Sequence, residues 1–209
     1  PYLSVSQQPI QRTLQRLLEV HPRFAEVTFR HACGLTPNPA VVELGHWLDA
    51  NRDVVAPILP MDLKNVSLPI LNLSPYNPAL PVGHIDGDTC VALATESMAE
   101  AGTELAVGRY DEARMIYTNA AFAASCPTGE RRTVHLGMDF FVAAQMPVHA
   151  PLDGVVHALA DRTDAQDYGP VIVLRHEVDD LVFYTLYGHL SRESLQALKP
   201  GQSIGSGQA

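Results

Sequence analysis

The sequence predicts an α+β protein in which a helical N-terminal region and an irregular β segment precede a strand-rich remainder. Three observations carry that expectation. Apolar residues recur at helical spacing up to about residue 50. Prolines crowd residues 53–82, where the periodicity is lost. From Thr133 onward, apolar runs alternate with Asp-Gly and acidic turn signals. Hydrophobic residues make up 46 % of the 209 and charged residues 18 %, so the chain can bury a core and is not a disordered tract.

Each element follows in order. Ile10, Leu14, Leu17 and Leu18 predict a helix over residues 8–32, broken at Pro22 and resumed by Phe24 and Val27. A second helix is expected after Thr36 as N-cap, with Val41, Val42, Leu44, Trp47 and Leu48 as its apolar residues. The run Val66-Ser-Leu-Pro-Ile-Leu-Asn-Leu-Ser reads as short extended pieces. Asp86-Gly-Asp signals a turn, Cys90 to Leu93 a brief strand, and Thr95 the cap of a short helix to about Ala101. Ala106-Val-Gly-Arg-Tyr returns to extended structure and leads to Tyr117. Further on, two apolar runs flank the Asp-Gly turn in Val148-His-Ala-Pro-Leu-Asp-Gly-Val-Val-His-Ala-Leu. Val171 to His176 and Leu181 to Tyr187 form a hairpin about the acidic loop Glu177 to Asp180. A break is placed within residues 123–132. The expected division is a helical region 1–52, a mixed α+β segment 53–130 that packs on the domain after it, and a β domain 131–209.

Composition excludes several functions. Net charge is −9 with Lys and Arg scattered, which gives no footprint for nucleic acid. No apolar run approaches the roughly 20 residues of a membrane span. Cys33, Cys90 and Cys126 lie far apart, so neither a disulfide framework nor a cysteine zinc knot is expected, and a reducing compartment suits them. The first residues lack the basic and apolar regions of a signal peptide.

Two places carry chemistry. His135-Leu-Gly-Met-Asp139 sets an imidazole and a carboxylate four positions apart, both suited to zinc. In a straight strand these side chains would stand about 13 Å apart, too far to share an ion. Gly137 and the β-leaning Val134, Phe140 and Phe141 disfavour a helix, so a zinc role requires a bend at Gly137-Met138. The competing reading is a surface His beside a turn Asp. His189, in Tyr187-Gly-His-Leu at a strand mouth, is placed to exchange a proton near neutral pH, or is simply exposed. His149, His157 and His176 lie in strand patterns and read as non-catalytic. Asp161, Asp164 and Asp167 do not match a calcium loop and read as a solvated loop.

Taken together, several motifs resemble lysostaphin/LytM-type zinc metallopeptidases. They are Arg132-Thr-Val-His-Leu-Gly-Met-Asp-Phe-Phe and Met146-Pro-Val-His-Ala-Pro-Leu-Asp-Gly-Val-Val, then Tyr168-Gly-Pro-Val-Ile-Val-Leu-Arg-His. Tyr184-Thr-Leu-Tyr-Gly-His-Leu-Ser and Leu198-Lys-Pro-Gly-Gln-Ser-Ile-Gly-Ser-Gly-Gln continue the series in the family's order. The resemblance implies a compact β sandwich (a duplicated hybrid motif) with an open groove. It makes His135 and Asp139 the first two zinc ligands and His189 the catalytic histidine. The implied substrate is a peptide, commonly a glycyl bond or a peptidoglycan-like wall peptide.

The family closes its site with a later His-x-His motif that supplies the third ligand and a further catalytic histidine. The sequence ends at Ala209 before any such motif, and the expectation is a truncated domain, inactive by itself. Gly108-Arg-Tyr-Asp-Glu-Ala-Arg-Met-Ile-Tyr is in turn similar to the middle of bacterial fusion proteins. Those join a kinase-like domain, a peptidase-like domain of this type and a class III aminotransferase domain. That resemblance implies a cytoplasmic setting, whereas a typical wall peptidase works outside the cytoplasm. Two rivals are a non-catalytic binding or scaffolding module and a phosphoryl carrier of the sugar phosphotransferase type. In the carrier an Ala-Pro turn precedes the histidine motif, whereas here His135 precedes Ala150-Pro151.

Overall fold

The computed structural model describes residues 39–61, 63, 67–81, 85–119, 122, 132–164 and 166–209. The predicted helix over 8–32, the Thr36 cap, Cys33 and Cys126 lie outside these residues, as does nearly all of the 123–132 break. The chain divides into two compact units, Pro1–Arg52 and Asp53–Ala209. The fold is mixed α+β, with antiparallel strands dominating its C-terminal part.

In the first unit, the expected second helix is present as α1, Pro39–Ala50. Proline suits the first turn because its missing N–H would have no helical partner there. At the other end the Trp47 carbonyl accepts both the Asn51 backbone N–H (3.0 Å) and the Asn51 side-chain amide (2.8 Å), which closes the helix.

In the second unit, α2 spans Gly87–Ala101 and corrects the reading of a strand followed by a short helix. Asp86 is the true N-cap: its Oδ1 accepts from the Thr89 N–H at 2.9 Å and the Thr89 hydroxyl at 2.8 Å. What read as a turn is the helix start. Cys90 and Ala94, four apart, are the buried residues of α2, and Gly102 ends it at φ +65°. Thr95 sits mid-helix, its hydroxyl donating back to the Val91 carbonyl.

Three small sheets complete the unit. β1 (Ile70–Leu71) runs parallel to β2 (Ala106–Gly108), which pairs antiparallel with β5 (Asp139–Phe141). β3 (Glu112–Ala113) pairs antiparallel with β4 (Val134–His135), and a 3-10 turn, Met115–Thr118, follows β3. The largest sheet is antiparallel in the order β8 (Leu181–Tyr187), β7 (Gly169–Val178), β6 (Gly154–Arg162), β9 (Ser203–Ile204). The β7–β8 hairpin is the predicted one, with a tighter turn at Asp179-Asp180 because β7 runs on to Val178. A helix that the sequence reading did not include, α3 (Arg192–Gln196), starts where the Ser191 hydroxyl accepts the Ser194 N–H.

One expected apolar run is not a strand. Pro147 and Pro151 deprive residues 146–152 of ladder donors, and the segment is pinned piecemeal instead. His149 N–H donates to the Ile58 carbonyl, Ala56 N–H to Pro151, Ala150 N–H to Gln208, and Gly207 N–H to Ala150. Separate apolar clusters sit behind these elements. Leu71, Leu73, Ile85, Cys90, Ala94 and Ala106 fill one; Leu59, Leu105 and Val107 a second; Ala150, Val156, Leu174 and Ile204 a third. The first two back the strands that carry residues 135–141.

Candidate functional site

The segment between β4 and β5 bends at Leu136-Gly137-Met138, as the zinc reading required. Each flank is held by a strand from earlier in the chain: Glu112 is paired with His135, and Gly108 with Asp139. Two strands on different sheets therefore turn the segment back on itself. His135 Nε2 comes to 3.5 Å from Asp139 Oδ1, with the two side chains 20 % and 30 % exposed. The imidazole lies over Gly137, where a Cβ would stand 3.2 Å from His135 Cε1 and Nε2. Glycine keeps that space open.

The ring is held below its ordinary pKa. Burial is the largest cause and Arg114 adds to it, against the opposing pull of Asp139, the Arg109 backbone and Glu112. His135 Nδ1 is buried with no hydrogen-bond partner.

Asp139 divides its oxygens between two neighbours. Oδ1 faces His135, and Oδ2 accepts from Arg114 Nη1 at 2.5 Å. The buried Arg114 also donates through Nε to Glu112 Oε2 at 3.0 Å and through Nη2 to the Arg109 carbonyl at 3.2 Å. Glu112, buried too, takes the Leu73 N–H on its other oxygen at 3.1 Å. Gly108 makes room for this: a Cβ there would lie 2.8 Å from Asp139 Oδ2 and 3.0 Å from Arg114 Nη2. The sequence reading passed over Gly108, Glu112 and Arg114 as contacts of the pair. Their one local signal was two opposite charges two apart in an extended run, hence on one face.

His189 stands at the end of β8 with φ +57°, its N–H donating to the Tyr168 carbonyl at 2.6 Å. Its ring lies 6.5 Å from that of Tyr168. Gly188 lets Tyr168 in close, since a Cβ there would stand 3.0 Å from Tyr168 Cδ1. Among the described residues, no hydrogen bond or ion pair links His189 to the His135–Asp139 pair. The buried Tyr117 senses both surroundings. Burial raises its phenol pKa; Tyr168 and Asp139 add to that, and Arg114 and Arg132 oppose it.

Two further histidines of the strand region have ordinary partners. His157 is exposed on β6, edge-on to Tyr184. His176 is fully buried, with Nδ1 2.8 Å from the Asp153 carbonyl and Nε2 2.7 Å from the Thr185 hydroxyl. Because a carbonyl only accepts, Nδ1 carries the proton. Asp161 lies in β6 rather than a loop and pairs with Arg192, while Asp167 pairs with Arg162. Among the described residues no group of three His, Cys, Asp or Glu side chains is placed to hold a metal.

The bent segment sets an imidazole and a carboxylate side by side, two of the three protein ligands that a catalytic zinc takes. Residues 133–209 match the family model described as Peptidase family M23, consistent with a domain of the LytM/lysostaphin kind. Peptide-bond hydrolysis is that family's chemistry, and a peptide its class of substrate. No curated protein and no solved structure matches the chain.

Proposed function

We propose that the M23-type segment is the core of a zinc-dependent endopeptidase in which His135 and Asp139 hold the metal and His189 is the catalytic histidine. The observation that carries the reading is the 3.5 Å between His135 Nε2 and Asp139 Oδ1. Ligand atoms about 2.1 Å from a tetrahedral zinc stand roughly 3.4 Å from each other, so the pair is already at bonding separation. The lowered ring pKa favours the neutral imidazole that a ligand must be. Zinc bound there would polarise the scissile carbonyl and lower the pKa of water to near neutrality. His189, at the mouth of β8 beside Tyr168, is the group that would pass a proton to or from the peptide.

Catalytic zinc takes three protein ligands, and these residues supply two. The 209-residue chain is accordingly proposed to bind zinc weakly and to lack peptidase activity by itself. The same shortage among the described residues favours a second reading, a non-catalytic binding or scaffolding module within a larger protein. Wall-type peptides as substrate, and covalently joined kinase-like and aminotransferase domains, rest on the motif resemblances alone. Segments 53–130 and 131–209 are proposed to pack together, which the β2–β5 and β3–β4 pairings support.

Equilibrium dialysis against zinc tests the assignment. The parent chain is expected to hold zinc weakly and below one equivalent, and His135→Ala and Asp139→Ala less still. Variants that retain as much zinc as the parent would remove both residues from the site. Tight, stoichiometric binding by the parent would mean that a further ligand is present.

A further inference from the structure

The shortest polar contact of the Asp139 side chain comes from Arg114, outside the family-matched segment. Arg114 is buried although it carries a full charge, and its guanidinium spans two carboxylates and a backbone carbonyl. Burying a charge is unfavourable unless its hydrogen bonds are met, and here Glu112 and Asp139 meet them. Glu112 is itself fixed through the Leu73 N–H. The network thus runs from the backbone beyond β1, through Glu112 and Arg114, to one oxygen of Asp139. Gly108 leaves the gap through which Arg114 and Asp139 meet.

We propose that Arg114 is a positioning residue that claims Asp139 Oδ2, leaves Oδ1 as the single oxygen aimed beside His135, and so fixes the geometry in which a divalent cation is held. This rests on the metallopeptidase reading of the same site. A free carboxylate can rotate and can offer one oxygen or two. With Oδ2 donated to by Nη1, rotation is blocked and only the one-oxygen mode remains. The planar fork of arginine suits this, since Nε and Nη1 reach Glu112 and Asp139 from one rigid group. The positive charge of Arg114 by itself opposes a cation, but Glu112 offsets it, and the trio Glu112, Arg114 and Asp139 carries a net negative charge. Loss of Arg114 would set Glu112 and Asp139 free as two unrestrained carboxylates. Groups that orient a ligand in this way typically change metal affinity by about 10- to 100-fold.

Cobalt(II) is the probe, because its visible absorption reports both occupancy and ligand geometry. The full 209-residue chain is titrated with cobalt alongside Arg114→Met, Arg114→Lys and Glu112→Gln, each checked for folding by circular dichroism. Arg114→Met is expected to bind about tenfold more weakly with a shifted visible band. Arg114→Lys should recover part of the affinity, and Glu112→Gln should fall between parent and Arg114→Met. If Arg114→Met does not fold, Glu112→Gln, which keeps shape and leaves Arg114 in place, carries the test. Parent-like or tighter binding with an unchanged spectrum in the folded variants overturns the role of Arg114 alone. A parent that takes up no cobalt at all defeats the metal reading, and the role of Arg114 with it.

Discussion

The four-stranded sheet and the short-stranded corner around Gly137 each enclose a histidine, and they treat it in opposite ways. In the sheet, both ring nitrogens of His176 are engaged, by the Asp153 carbonyl and the Thr185 hydroxyl, and a Cβ at Gly154 would stand 2.9 Å from Nδ1. That ring ties β7 to β8 and to the start of β6. In the corner, His135 is partly exposed, its Nδ1 is unpartnered and its Nε2 faces a carboxylate. A satisfied nitrogen has nothing left to offer a ligand. The two rings therefore differ less in being sheltered than in how completely their nitrogens are engaged.

The contrast is open to direct attack, and His176→Leu should cost most. It strands the Asp153 carbonyl and the Thr185 hydroxyl in a packed interior, and unfolding in urea should show a loss of about 3 kcal/mol. Cobalt affinity of the protein that remains folded should stay at the parent value. A large loss of affinity there would mean that the two histidines are coupled after all.

Gly137→Val should act in the reverse sense. Its Cβ would press on the His135 ring at 3.2 Å, and its branches would add to the crowding. The expected result is a loss of cobalt affinity of about tenfold, roughly 1.4 kcal/mol, with stability changed by less than that in urea. Parent-like affinity would show that the ring tolerates displacement.

The smallest effect concerns Tyr117. Burial raises its phenol pKa, so above the unfolded value of about 10 the unfolded chain loses a proton that the fold retains. The stabilisation is complete below that pH and is lost as pH rises through the folded value. Tyr117→Phe should flatten the decline of stability measured in urea between about pH 9 and 11. An unchanged slope would place the alkaline sensitivity elsewhere.

Legibility followed sequence distance. The β7–β8 hairpin is written in adjacent residues, with two alternating runs and an acidic turn between them, and it was found. The bend at Gly137 was legible as a condition: if His135 and Asp139 were to meet, the chain had to turn there. The capping of α2 by Asp86 was not, because Asp-Gly-Asp serves equally as a turn or a helix start until the next fifteen residues are packed. Nor was the grip on residues 135 and 139. It depends on β2 and β3, strands of three and two residues that are too short to have a periodicity. Arg114 and Glu112 look like two surface charges until β4 and β5 fold against them. The identities of the paired groups were local, but what fixes them is not.

The placing of β2 between β1 and β5 has a practical consequence for anyone excising this domain. A fragment that starts at residue 131 would keep the whole family-matched stretch yet lose both strands that hold the bend. The backbone donors and acceptors of Asp139–Phe141 and Val134–His135 would then be bare, with Phe140 uncovered beside them. Such a piece invites self-association through those open borders. The smallest soluble fragment should reach back past Ile70, so that the parallel neighbour of β2 is carried along.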